Sequence, residues 1–375
     1  MKINSAVRWW FGGNFPEAQV KRISAYRPHG WGNLVKDRYR TWVVHPLRRR
    51  VARFWVIFLQ KFFGLKVIAI TGSAGKTTTK EMVASILKQK GETVASIANI
   101  DPIYNIPTSI LKCTPATRFL VLEMGVEFPG EMDFYLWLVR PDIGVILNIY
   151  PTHLEFFGSV NGVYREKSRL VKSLNRSSTA VLNAKDNYLK RLGDKLGCNV
   201  VWFDDENDSA AAAVGRVLGV KENLIKIGLV KYQNPEHRMR EIRHKSGALI
   251  IDDSYNNNPE AAKRALKIFT DISSTKKKVV VFGDMLELGK FEEKYHRELG
   301  NILAQNGLIF LIGVGPASRV LIKEAAKTMP NKTAWVEKNL QVLEYLKPYL
   351  KSGYAILIKG SRSIGLDKLV EQVVV

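Results

Sequence analysis

The chain has 375 residues, 46% of them hydrophobic, and a formal net charge of +22. That length exceeds what one hydrophobic core organises and predicts two domains plus an appendage. Two distant cysteines, Cys113 and Cys198, exclude a disulfide framework or a Cys-rich zinc site, and the absence of a run of about 20 apolar residues or of a signal-peptide core predicts a cytoplasmic protein.

Residues 1–66 hold fourteen Lys or Arg against two acidic residues, a net +12, with five of the eight tryptophans: Trp9, Trp10, Trp31, Trp42 and Trp55. Cationic and aromatic side chains together suit peripheral contact with an anionic membrane. Nucleic acid fits less well, because no recognised nucleic-acid module accompanies the charge. Pro46 to Phe63 reads as a helix whose start is crowded by Arg48, Arg49, Arg50 and Arg53. Val51, Phe54, Trp55, Phe58 and Phe62 recur at helical spacing as one apolar stripe. An interfacial helix fits that stripe, and so does a helix packed on its own domain with the arginines solvated.

Val67 to Ile70 form a short buried strand, broken at Gly72, and a helix pattern starts at Lys76. Strand, glycine-bearing turn and Lys-Thr at a helix start is the geometry that cradles phosphate. Backbone N–H groups of Gly72, Ser73, Ala74 and Gly75 and the helix dipole face the anion, Lys76 neutralises charge, and the Thr77 hydroxyl reaches Mg2+, with Thr78 beside it. The turn is shorter than the usual P-loop, since Ile70 stands where the first glycine would be.

Apolar runs at 119–123, 144–148 and 179–184 then alternate with helical stretches at 77–90, 129–138 and 161–174. This pattern predicts an α/β fold with a mostly parallel sheet covered on both faces. The polar stretch 205–245 reads as weak strands. Runs at 248–253, 278–284, 309–315 and 355–360 predict a second, Rossmann-like α/β unit without its Gly-rich fingerprint. The expected domains are a basic aromatic segment 1–64, an ATPase domain 65–234 and a C-terminal domain 235–375.

Ligands gather at the carboxyl ends of strands in such sheets. Glu123 ends one strand, Asn148 ends the next, His153 and Glu155 follow in a loop, and Lys167 lies on the helix after that. Glu123 is a natural Mg2+ ligand there, because hard cations take carboxylate oxygen. Singly, each residue has a plain reading as a capping acid, a loop histidine or a surface charge.

TGSAGKTTTKEM (71–82), LVLEMG (120–125), NIYPTHLEFFGS (148–159), DDSYNNNP (252–259), GDMLELG (283–289) with His296, and IKGSRS (358–363) occur in one order. In that order they resemble the Mur ligases, over residues 66–375, and most nearly the branch that adds D-alanyl-D-alanine to a UDP-muramoyl tripeptide. The resemblance implies an ATP- and Mg2+-dependent amide ligase of cell-wall precursor synthesis, working as a monomer on peptide or amino-acid substrates. A carboxylate is phosphorylated to an acyl phosphate, which an amine attacks. It implies that Lys76 holds the β/γ-phosphates, that Thr77 and Glu123 hold one Mg2+, and that His153 helps hold a second. Lys167 stands where the family carries a carbamylated lysine, an anionic ligand in place of a repelling ammonium. Arg238 and Asp253 would meet the nucleotide phosphate and ribose, and Tyr255, Asn256 and Asn258 would lie near adenine. Lys359, Ser361 and Arg362 would lie near the amine substrate.

Three departures stand out. The family's N-terminal UDP-binding domain is missing, with only the basic segment 1–64 in its place. The Asn-rich stretch after the P-loop helix reads ANIDPIYNIP (98–107), keeping Asn99, expected at the substrate, and Pro107, while Asp101, Pro102 and Asn105 replace its usual residues. Arg169 stands where an acid is usual. The first two departures leave the acceptor open between a membrane-proximal carboxylate and a small-molecule polycarboxylate of a cofactor pathway, while the ATP site keeps its motifs. A basic P-loop protein binding nucleic acid is the third reading.

Overall fold

The computed structural model describes residues 4–13, 15–25, 31–97 and 100–374; Asn99 and the side chain of Trp31 lie outside them. Two compact units form, the second comprising Pro151–Glu155 with the chain from Asn234 onward, the first comprising the remainder.

Four helices open the first unit: α1 (Ser5–Gly12), α2 (Glu17–Ala25), α3 (Trp31–Tyr39) and α4 (His45–Phe63). Pro46 sits in the first turn of α4, where its missing N–H costs nothing, and Gly64, at φ 69°, stops the helix. The expected stripe divides: Val51, Phe54 and Phe62 are exposed, Trp55 and Phe58 are half-buried with the Trp55 indole donating to the Cys113 carbonyl at 2.9 Å, and Arg49, Ala52, Val56 and Leu59 are buried on the inner face. Periodicity alone cannot separate the faces of a helix that is apolar on both.

Nor are the arginines simply solvated. The Arg49 guanidinium lies 4.6 Å from the Phe15 ring and 5.4 Å from the Phe134 ring, and donates to the Phe11 carbonyl at 3.0 Å. Arg50 donates to the carbonyls of Trp9 and Trp10, 2.6 Å each, and lies over both indoles. These cations tie α1 to α4 through aromatic faces.

Strands β1 (Lys66–Thr71), β2 (Thr93–Ala95), β3 (Phe119–Glu123), β4 (Ile143–Ile146), β5 (Thr179–Asn183) and β6 (Asn199–Phe203) make one sheet in the order β2-β3-β1-β4-β5-β6. Every pairing is parallel. Register sets Ile70 beside Glu123 and Thr71 beside Ile146, so the P-loop, Glu123 and Asn148 all leave the sheet at the carboxyl ends of its strands. Helix α5 (Lys76–Leu87) follows β1, α6 (Pro102–Ile110) follows β2, and α7 (Glu131–Leu138) follows β3.

The stretch expected as weak strands folds instead largely as helices Asn207–Val217 and Glu222–Lys231. Ala210 to Val214 are buried in the first-unit core with Ile86, and Gly228 lets its helix touch the Ile86 backbone. The strand β2 was not legible, being too brief to show a run, and β6, NVVWF, was not read as a strand although four of its five residues are apolar.

In the second unit, β7 (Arg240–Arg243), β8 (Leu249–Asp253), β9 (Lys277–Gly283), β10 (Phe310–Val314), β11 (Thr333–Val336) and β12 (Tyr354–Lys359) pair in the order β11-β10-β9-β12-β8-β7. Only β7 runs antiparallel. Lys359 lies beside Asp253 in register, which places the second group of candidate residues at one end of that sheet.

Candidate functional site

The turn 72–75 is held from the β4 side. Asn148, buried, accepts from the Ser73 N–H at 3.0 Å and the Ala74 N–H at 2.8 Å, and its amide donates to the Ala74 carbonyl at 3.3 Å. Ser73 Oγ donates to the Tyr150 carbonyl at 3.0 Å. The N–H groups of Ser73 and Ala74, expected to face phosphate, therefore shape the turn instead. The anion-facing dipoles are those at the start of α5, whose first-turn N–H groups have no acceptor within the helix. Gly75 makes the entry at φ 80°, where a side chain would also strike Asn207 Oδ1.

Lys76 curls back to the Gly72 carbonyl at 3.0 Å, so its ammonium spans the turn. Thr77 Oγ1 donates to Glu123 Oε2 at 2.9 Å, bringing a hydroxyl and a carboxylate together at the head of the helix. That oxygen pair fits Mg2+, which takes one or two protein oxygens and completes its shell with phosphate and water. The Glu123 N–H donates to Ser96 Oγ at 3.0 Å, and the Ser96 carbonyl accepts from buried Lys80 at 2.5 Å.

Lys167, only 1% exposed, lies on the helix Val160–Lys172. Burial pushes its ammonium well below the ordinary lysine value, and the charge of Lys76 pushes the same way, against Glu166 and Glu131. A neutral amine in that place is a nucleophile. Glu166 caps α7, accepting the Gly130 and Met132 N–H groups at 2.9 Å each. Arg169, the anomalous residue, pairs with Asp133 and reaches Glu166 Oε2 at 3.4 Å. The altered stretch 98–107 starts a helix: Asp101 accepts the Ile103 N–H at 3.0 Å, Pro102 opens α6, and buried Asn105 bonds Ile97 from both sides.

The second unit gathers the other candidates. The Arg238 guanidinium lies 4.1 Å from the Tyr255 ring centre and that of Arg362 lies 5.1 Å from the same ring. Lys359, 1% exposed, pairs with Asp253 at 2.6 Å and donates to the Asn256 carbonyl at 2.9 Å. Asn258 caps the helix Pro259–Ile272 through the Ala261 N–H, and Ser361 donates to the Asp284 carbonyl at 2.8 Å. Asp284 in turn caps the turn at Ala317 and Ser318, and buried His296 accepts the Met285 N–H at 3.1 Å. His153 belongs to this unit as well, its Nδ1 2.5 Å from Glu287.

Sequence reasoning assigned no role in the site to Asn148, Ser96, Lys80 or Glu166. The strand-end position of Asn148 was the one signal that pointed to it.

The family description "Mur ligase middle domain" matches residues 70–242, and "Mur ligase, glutamate ligase domain" matches residues 237–362. The UDP-N-acetylmuramoyl-tripeptide–D-alanyl-D-alanine ligase of Buchnera aphidicola subsp. Baizongia pistaciae is 30% identical over 352 residues, 82% of this chain and 75% of that protein. The crystal structure of MurF from Acinetobacter baumannii superposes with a TM-score of 0.78 at 26% identity, covering 87% of this chain and 80% of that one. The MurF ligase of Thermotoga maritima in complex with ADP superposes at 0.77 with 25% identity, covering 87% and 82%.

Proposed function

The chain belongs to the Mur ligase family, and on that footing we propose that it joins D-alanyl-D-alanine, or a closely related amine, to the terminal carboxylate of a muramoyl peptide. It is an ATP- and Mg2+-dependent ligase of cell-wall precursor synthesis. The observation that carries the reading is the Thr77 hydroxyl set 2.9 Å from the Glu123 carboxylate, on a helix headed by Lys76.

A carboxylate resists amines because its leaving group would be oxide. Transfer of the terminal phosphoryl of ATP to one carboxylate oxygen makes an acyl phosphate, the amine adds to its carbonyl carbon, and that oxygen departs with phosphate. Bound Mg2+ supplies charge neutralisation across the phosphates. Lys76 would neutralise the β/γ oxygens, Thr77 and Glu123 would hold the metal, and His153 would contribute to a second metal position. Gly72, Ser73, Ala74, Gly75 and Thr78 shape the phosphate turn. Lys167, buried beside Lys76, adds CO2 with loss of one proton to become an anionic carbamate. Arg238, Tyr255 and Asn256 face the nucleotide, with Asp253 held by Lys359; Arg362 recruits the carboxylate of the amine substrate.

Consumption of D-alanyl-D-alanine with ATP and the UDP-muramoyl tripeptide tests the substrate assignment. Turnover supports it. Turnover only with a small polycarboxylate from an acceptor panel moves the reading to a cofactor-type ligase.

The outward face of α4 supports a second element of the function, peripheral attachment to an anionic bilayer. Leu47, Val51, Phe54, Phe62 and Phe63 line one exposed stripe, with Phe54 at 73% and Phe62 at 63% exposure. Arg48 and Lys61 flank it on a segment of net +12, the composition of a helix lying in an anionic lipid interface. Sedimentation with phosphatidylglycerol vesicles should deplete the protein, and the double change Phe54→Ser, Phe62→Ser should abolish that depletion. Equal depletion by both proteins, or a concentration-dependent dimer lost in the variant, overturns the lipid assignment.

A further inference from the structure

Arg238 sits between two non-glycine residues in the left-handed region, His237 at φ 61° and Met239 at φ 51°. Residues with a Cβ avoid that conformation unless the surroundings impose it. Here the arch is pinned on both sides to the end of β8. His237 Nδ1 lies 2.7 Å from Asp252 Oδ2, and Asp252 is 1% exposed. The other oxygen of Asp252 accepts from the Ser254 hydroxyl at 2.6 Å and the Ser254 N–H at 3.1 Å. The His237 carbonyl accepts the Tyr255 N–H at 3.3 Å, and the Met239 N–H donates to Asp253 at 3.3 Å. The consequence is a guanidinium held 4.1 Å from the centre of the Tyr255 ring, with that of Arg362 at the same ring.

We infer that His237 is a positioning residue, and that its imidazole, anchored on buried Asp252, holds Arg238 in the arch from which it meets the nucleotide. The inference rests on the reading that Arg238 faces nucleotide. A flexible arginine would have to be ordered at each binding event, whereas this one is ordered beforehand by the ring and by the strained backbone. The Asp252–His237 bond is charge-assisted and shielded, so it is the strong tie among the three that pin the arch. Ser254 serves the same end by fixing the carboxylate.

Three substitutions at position 237 separate the contributions. His237→Ala removes the tie and keeps the strain. His237→Gly removes the tie and relieves the strain. His237→Asn keeps a side-chain donor in a residue that tolerates positive φ. The expected result is ADP affinity weakened about tenfold in the alanine and glycine variants, the scale of one charge-assisted hydrogen bond. KM for ATP rises in step, kcat stays within about twofold, and His237→Asn lies within about threefold of the parent in ADP affinity. Thermal unfolding of each variant is followed in parallel, and a stability loss without a change in ADP affinity assigns His237 a structural role only. Should the alanine variant not fold, the glycine and asparagine variants still decide: equal ADP affinities in those two overturn the brace. Arg238→Ala is the control for the underlying reading. Parental ADP affinity in that variant overturns the nucleotide role of Arg238, whereas weakened binding there with unchanged binding in His237→Gly overturns the brace alone.

Discussion

Replacing Asn148 probes how the short phosphate turn keeps its shape. Asn148→Ala leaves the Ser73 N–H with the backbone carbonyl of residue 148 at 3.1 Å, but strips the 2.8 Å acceptor from the Ala74 N–H and the 3.3 Å donor from the Ala74 carbonyl. Leaving the half-buried Ala74 N–H without its partner costs up to about 1–3 kcal/mol and the second lost hydrogen bond about 1 kcal/mol, so the ordered turn loses at most about 2–4 kcal/mol relative to a relaxed one. Since about 1.4 kcal/mol is tenfold in affinity, and a bound phosphate recovers part of the cost, ADP affinity should fall roughly 10- to 100-fold. Asn148→Asp retains both acceptors but adds a negative charge near the phosphates, so its loss should grow as salt is lowered. Isothermal titration with ADP and Mg2+ at two salt concentrations reads both effects. Binding by Asn148→Ala within about threefold of the parent would refute the view that this amide builds the site.

Other consequences follow from the same contacts. His45 is pushed down to about 4, first by burial and then by Arg49, Arg40 and Arg48, with Asp37 opposing. The unfolded chain therefore takes up this proton first as pH falls, and stability is lost between about 6.5 and about 4; His45→Asn should flatten that part of the urea-midpoint profile. Cys113 is buried and pushed up to about 12, so native protein at pH 8 should alkylate at half-buried Cys198 alone; two equally reactive thiols would contradict its burial. Gly228→Ala drives a methyl to 2.5 Å from the Ile86 Cα and should cost about 1–3 kcal/mol in denaturant unfolding with ADP affinity unchanged.

What the sequence made legible was whatever is written locally. Apolar runs announced β1, β3, β4 and β5 because strands of a covered parallel sheet are buried on both faces. The Lys-Thr helix start announced the phosphate turn because that chemistry needs those residues at those positions. Asn148 shows the opposite case: it sits 75 positions from Ser73 and acts only once β1 and β4 are side by side. Arg49 is another, since a guanidinium in a run of arginines reads as solvated until Phe15 and Phe134 arrive from elsewhere in the chain. Which face of α4 packs inward was left open by the sequence, because its outer stripe is richer in large apolar groups than its inner one. Residues 207–217 were misread because an alanine run buries by smallness, which leaves no hydrophobic peak.

The central claim is that a carboxylate oxygen leaves with the terminal phosphate of ATP. Incubation of the protein with Mg2+, ATP, D-alanyl-D-alanine and a muramoyl tripeptide labelled with 18O in its terminal carboxylate, followed by mass spectrometry of the released phosphate, measures it directly. The account predicts one 18O atom in each phosphate released and an equal amount of new amide, both lost in Lys76→Ala. Phosphate released without label, or label transferred equally well by the Lys76→Ala protein, would contradict it.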